Sequence, residues 1–163
     1  MYQILNYIKY WFRATNQHGV HSPFVYNFVT KGLYSKSIKD NSEPINFTDY
    51  GLTKKEKKVL KKILDYFQIE LNLKENINQS FYLDKQCNKL YYNGLKKIKL
   101  LPSENLKDIE FIIYRGIYTD KVNQEKWKKL CAIPQATVTI DLFYFGLLFF
   151  RKEQRKEHFV IRV

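Results

Sequence analysis

"TVTIDLFYFGLLFFRKEQRKEHFVIRV", residues 137–163, decides the fold. Val138, Ile140 and Leu142 alternate with Thr137, Thr139 and Asp141, which is the period of a strand. A wholly apolar run follows and carries on past Gly146. "RKEQRKE" then reads as a charged turn, and "HFVIRV" alternates again with Phe159, Ile161 and Val163 on one side. These segments predict antiparallel strands that finish a sheet.

Upstream, short apolar segments with the look of strands occur at 69–73 (IELNL), 80–84 (SFYLD), 97–101 (KIKLL) and 109–114 (IEFIIY). Helical stretches, "KQCNKLYYNGL" and "TDKVNQEKWKKLC", separate some of them. In the second, Val122, Trp127, Leu130 and Cys131 can share a buried side, with Thr119 or Asp120 as its cap. Strands alternating with helices predict an α/β domain with a mainly parallel sheet.

The first fifty residues are of another kind. Residues 2–14 read as an amphipathic helix, with Ile4, Leu5, Ile8, Trp11 and Phe12 in helical rhythm and Lys9 and Arg13 on another face. A loop "ATNQHGVH" follows, and Ser22-Pro23 then opens a second helix, serine as N-cap and proline at the first helical position. Phe24, Val25, Phe28 and Val29 form its apolar stripe up to about Leu33, and residues 34–50 are polar enough for a linker. The clearest helix starts at Thr53, where Thr53 and Glu56 have capping-box spacing. Val59, Leu60, Ile63, Leu64 and Phe67 make its buried stripe, and lysines load the remaining surface. The expected organisation is a helical extension and linker over 1–50 and an α/β core over 51–163, packed as one compact unit.

The totals set limits. A chain of 163 residues with 45% apolar and 17% aromatic content is one folded domain. Cys87 and Cys131 are far apart and form no Cys-x-x-Cys pair, which fits a reducing compartment and argues against a disulfide framework or zinc knuckle. The start of the chain reads as neither a signal peptide nor a membrane span, so a cytoplasmic protein is expected. The net charge of +12 comes mostly from lysine in a chain also rich in Asn, Ile and Tyr. That mixture is what an AT-rich genome produces, whereas nucleic-acid readers lean on arginine. Nucleic-acid binding is therefore not the favoured reading of the charge.

The six glycines are scattered, the nearest two thirteen residues apart, so no glycine-rich phosphate or dinucleotide loop is present. His18 and His21 stand at i, i+3, with His158 a distant third. A metal site is not expected from this set, since no cysteine accompanies the pair. Either His18 or His21 is a candidate general base, but anchoring of the loop by hydrogen bonds is the favoured reading of both. Asp84, at the end of a strand, is a candidate ribose ligand or a surface carboxylate.

Three stretches carry a family resemblance. "HGVHSPFVYNFVTK" (18–31) and "TVTIDLFYFGLLFFRKEQRKEHFVIR" (137–162) resemble the two ends of a bacterial family of class I S-adenosylmethionine-dependent methyltransferase-like proteins, and "GIYTDKVNQEKWKKL" (116–130) resembles its last core helix, Trp127 included. Together they cover about a third of the chain. The resemblance implies a small Rossmann-like sheet with an N-terminal helical extension and a closing pair of antiparallel strands. It implies S-adenosylmethionine as the ancestral cofactor, with Glu70 and Asp84 as the cofactor-binding candidates and His18 and His21 as the catalytic ones.

The chain departs from that family where the cofactor would sit. "IELNLKENINQ" has the strand and Glu70 but no glycine, and Tyr114 and Arg115 replace the acidic pair of a late core strand. The chain is also shorter than the family's full-length members. The expectation is a degenerate, non-catalytic methyltransferase-like protein without a cofactor, either serving as a structural or partner-binding subunit, homo-oligomeric or with another protein, or a decaying copy. Two alternatives stay open: an active methyltransferase with an atypical pocket, and a basic module for nucleic acid or a membrane surface.

Overall fold

The computed structural model describes residues 1–35, 52–67, 80–84, 90–92 and 109–163. Helix α1 spans Tyr2–Arg13 and a short 3-10 turn Gln17–Gly19 follows. Helix α2, Pro23–Asn27, runs on into a wider i→i+5 turn, Phe28–Leu33. Helix α3 is Lys54–Phe67 and helix α4 is Lys121–Ala132. The strands are β1 (Ser80–Asp84), β2 (Leu90–Tyr92), β3 (Ile109–Arg115), β4 (Val138–Asp141), β5 (Phe145–Phe149) and β6 (Glu157–Val160). They form one mixed six-stranded sheet in the order β2-β1-β3-β5-β4-β6.

The stretch before the charged turn is itself an antiparallel pair, β4 on β5, with Val138 opposite Phe149 and Asp141 opposite Gly146. Strand β5 also runs antiparallel to β3, with Phe111 opposite Phe149 and Arg115 opposite Phe145. It follows that β3 and β4 point the same way, linked through α4, with β5 inserted between them. Three expectations need correction. The described sheet is mainly antiparallel, since β1 pairs antiparallel with both β2 and β3. The last strand is the exception, because β6 lies parallel to β4. Leu90–Tyr92, expected within a helix, is strand; two adjacent tyrosines of high β-propensity beside a partner strand outweigh a weak helical pattern. The expected strands at 69–73 and 97–101 and the linker over 36–50 lie outside the described residues.

Each face of the sheet is covered, and each cover includes part of the N-terminal extension. Val25, Phe28, Val29 and Leu33 pack with Val59, Leu60, Ile63 and Leu64 of α3 against Phe111, Ile113, Ile140 and Leu147. On the other face Tyr10 and Ala14 join Trp127 and Leu130 of α4 over Ile112, Tyr114 and Leu148. Described residues between Tyr10 and Leu33 thus belong to the same core as the sheet. Coverage on both faces explains why Thr139 and Asp141, on the polar side of an alternating strand, are nonetheless buried.

Local chemistry sets the elements as the residues suggest. Ser22 Oγ accepts the Val25 N–H at 3.4 Å, with Pro23 at the first position of α2. The capping box of α3 closes both ways: the Thr53 N–H donates to Glu56 at 2.8 Å, and the Glu56 N–H to Thr53 Oγ1 at 3.2 Å. Asp120 caps α4 by accepting the Asn123 N–H at 2.7 Å. Gly146 lets α4 approach, since a methyl group there would lie 2.3 Å from Cζ3 of the Trp127 ring. Val122, expected on the buried side of α4, is 63% exposed. The apolar stripe of α1 also faces out, and Tyr10 is the helix's buried residue.

Candidate functional site

In an open α/β sheet ligands bind beyond the carboxyl ends of parallel strands. Here that edge is where β3 ends at Arg115 and β4 at Asp141, beside the start of β5. Gly116 follows β3 with φ +75°, a backbone that a side chain rarely adopts, and its N–H donates to the Tyr144 carbonyl at 2.8 Å. Leu142–Tyr144 then joins β4 to β5 as a three-residue turn. Phe143 sits in it at φ 66°, a strained value for a bulky residue.

Asp141 holds that turn. Its carboxylate accepts the Phe143 N–H at 2.9 Å and the Tyr118 hydroxyl at 2.5 Å, and the residue is 1% exposed. Burial raises the Asp141 pKa, opposed by the Tyr118 and Phe143 hydrogen bonds and by the charge of Arg13. Burial also raises Tyr118, reinforced by Asp141, so the phenol stays a proton donor. Tyr10 is raised in the same way, and its hydroxyl donates to the Ile161 carbonyl.

The rings above this carboxylate close the edge. Tyr118 stacks on Phe143 at 5.1 Å between centroids. Tyr10 lies 5.2 Å from Phe143, and Tyr7 meets it edge-on at 4.9 Å. On the other side Arg115 Nε donates to Glu56 at 2.8 Å, with both side chains largely buried. Burial works against the Glu56 charge, but Arg115 and the two Thr53 hydrogen bonds outweigh it and hold the pKa below the usual range. Both ends of the parallel pair are thereby tied to helices, β4 to α1 through rings and β3 to α3 through the ion pair. Along this described part of the edge the chain's own rings take the space; the 69–79 stretch, where the resemblance would seat S-adenosylmethionine, lies outside the described residues.

The sequence-derived candidates lie elsewhere. His18 and His21 are exposed in the loop before α2; the His18 N–H donates to Asn16 Oδ1 at 3.0 Å. No hydrogen bond or ring contact among the described residues joins either to the Asp141 cluster. Asp84 stands opposite Ile109, the first residue of β3, at the other end of the sheet from Asp141. Glu70 lies outside the described residues. His158 pairs with Thr139 at 2.8 Å, and no group of three His, Cys, Asp or Glu side chains among the described residues could hold a metal ion. Burial pushes the Cys131 thiol up to about 12, so at neutral pH it is no nucleophile.

The His-Gly-Val-His-Ser-Pro-Phe stretch acts through its last residues. Gln154 donates to Ser22 Oγ at 2.8 Å, the Arg151 guanidinium lies 4.4 Å over the Phe24 ring, and Phe24 meets Phe149 edge-on at 4.9 Å. Two of the three stretches that carry the resemblance, 18–31 and 137–162, therefore pack on each other. Sequence reasoning missed Asp141 and Tyr118, since an aspartate in an alternating strand reads as its solvent side. The available signal was the aspartate standing directly before an apolar Leu-Phe-Tyr turn.

A cavity of about 360 Å³ lies between α1 and α4, lined by Tyr10, Arg13 and Tyr118 and by Lys9, Lys121, Glu125 and Lys128 among others. No protein-family model matches the sequence, and no curated protein or solved structure matches it.

Proposed function

We propose that this chain is a non-catalytic, methyltransferase-like cytoplasmic protein that works by binding a partner rather than by group transfer. The closed carboxyl edge carries the reading. Tyr10, Tyr118 and Phe143 are packed over a buried Asp141 where an open sheet of this kind would hold its ligand. The parallel β3 and β4 joined through α4, with an antiparallel strand between them, support a Rossmann-like ancestry. So does the packing of residues 22–24 on residues 149–154.

Thermal unfolding with S-adenosylmethionine or S-adenosylhomocysteine tests this. A ligand held at about 100 times its Kd stabilises a fold by about 2.7 kcal/mol. For a domain of this size that is roughly 5–10 °C in Tm. The expected shift is nil with either compound. A reproducible rise of several degrees would overturn the proposal and restore an active methyltransferase with an atypical pocket.

A further inference from the structure

Helix α1 is held mainly by its inner side, with the Arg162 guanidinium also lying 4.2 Å over the Trp11 ring. Tyr10 is buried, the Tyr2 hydroxyl donates to Gln124 at 2.6 Å, and Arg162 bonds the Trp11 and Ala14 carbonyls at the helix end. The opposite side shows Ile4, Leu5, Ile8, Trp11 and Phe12 to solvent, at 66, 53, 49, 45 and 80% exposure. At 100° per residue these five fall within one arc of about 120°, centred opposite the Tyr10 side. An apolar face this continuous is not the scattered exposure of an ordinary surface.

Charge identifies what covers it. Lys9 and then Arg13 follow the apolar arc on its Leu5 side, and α1 contains no acid. The neighbouring α4 adds Lys121, Lys126, Lys128 and Lys129 against one carboxylate, Glu125, which Lys128 already pairs at 2.8 Å. Leu5, from the apolar arc, lines the same cavity as the bases Lys9, Arg13, Lys121 and Lys128 and the single acid Glu125, so a cleft with an excess of positive charge opens along the edge of the apolar face. A second copy would set two such basic rims together in a chain of net charge +12. An anionic lipid surface meets both features at once, with acyl chains for the arc and phosphates for the cleft.

We propose that α1 is an interfacial helix that docks the chain onto anionic membrane, its Ile4–Phe12 face entering the headgroup boundary and Lys9, Arg13, Lys121 and Lys128 taking lipid phosphates. This does not depend on whether the chain binds S-adenosylmethionine. The helix lies in the surface plane; among the described residues no helix is long and apolar enough to cross a membrane.

The test is co-sedimentation of the full chain with vesicles of phosphatidylcholine alone and of phosphatidylcholine mixed equally with phosphatidylserine, at low and high salt. Trp emission is followed in parallel, since Trp11 is exposed and Trp127 is 4% exposed. Binding to the mixed vesicles, weakened by salt and accompanied by a blue shift that Trp11→Phe abolishes, is expected. Phe12→Glu and Ile8→Glu alter exposed positions and keep the fold, checked by near-UV circular dichroism; each should weaken binding about tenfold or more. Lys9→Glu/Arg13→Glu should remove the preference for anionic lipid. No binding to the mixed vesicles at low salt, or binding unchanged by Phe12→Glu, overturns the proposal. So does a parent that self-associates in solution and becomes monomeric with Phe12→Glu, for then a second copy covers the face.

Discussion

Gly146→Ala puts one methyl group where the structure has no room for it. Its carbon would lie 2.3, 2.4 and 2.7 Å from Cζ3, Cη2 and Cε3 of Trp127, well inside any van der Waals contact. The indole cannot swing away freely. It is 4% exposed and stacks on Tyr114 with centroids 5.9 Å apart and planes 15° from parallel. Either α4 lifts from β5 or the ring leaves its rotamer, and overpacking of this kind costs about 1–3 kcal/mol. Loss of glycine's freedom in the unfolded chain gives back about 0.4–1 kcal/mol, leaving a net loss of about 1–2 kcal/mol. For a domain of this size that is a drop of about 2–8 °C in Tm, or a lower urea midpoint at unchanged slope. Trp127→Phe removes the clashing part of the ring, so adding Gly146→Ala to that variant should cost markedly less than adding it to the parent. A Gly146→Ala protein as stable as its parent would refute the packing of α4 on β5, and with it the β3–α4–β4 unit.

Three further outcomes follow from the same contacts. Glu56 has a lowered pKa, so the stability it brings is present above the ordinary glutamate range and is lost as pH falls through its folded value. Glu56→Gln should therefore be about 1–2 kcal/mol less stable than the parent at neutral pH, and the gap should close in acid when urea midpoints are compared. Asp141 acts in the opposite sense: its pKa is raised, so stability falls as pH rises from the unfolded carboxylate value through the folded one. Asp141→Asn should lose that decline, measured as a flatter stability profile over the same range. Phe24→Ala gives up contacts with Phe149 and Arg151 and should cost about 2–3 kcal/mol in urea unfolding, while exposed His18→Ala and His21→Ala stay within about 0.5 kcal/mol.

Periodicity located what local sequence governs. The capping box at Thr53 and Glu56, the Ser22-Pro23 helix start and the alternating strand Val138–Asp141 are each written in adjacent residues, and the structure has them. Strand direction is not written locally. Whether β1 runs with or against β3 depends on the path between them, and the 80–84 segment reads the same either way. Burial of the polar side of β4 was equally hidden, because it needs α1 and α4 brought over the sheet from distant parts of the chain. The amphipathic pattern of α1 was plain, but an apolar stripe does not say whether its cover lies within the chain, and here it faces out. The histidines drew attention by residue type, yet Ser22 and Phe24 beside them make the contacts.

Calorimetric titration of the purified chain with S-adenosylmethionine tests the central claim most directly. Side chains already fill the described part of the edge where a ligand would sit, so the account predicts no heat of binding up to millimolar cofactor. A saturable isotherm with a micromolar Kd and a stoichiometry near one would contradict it.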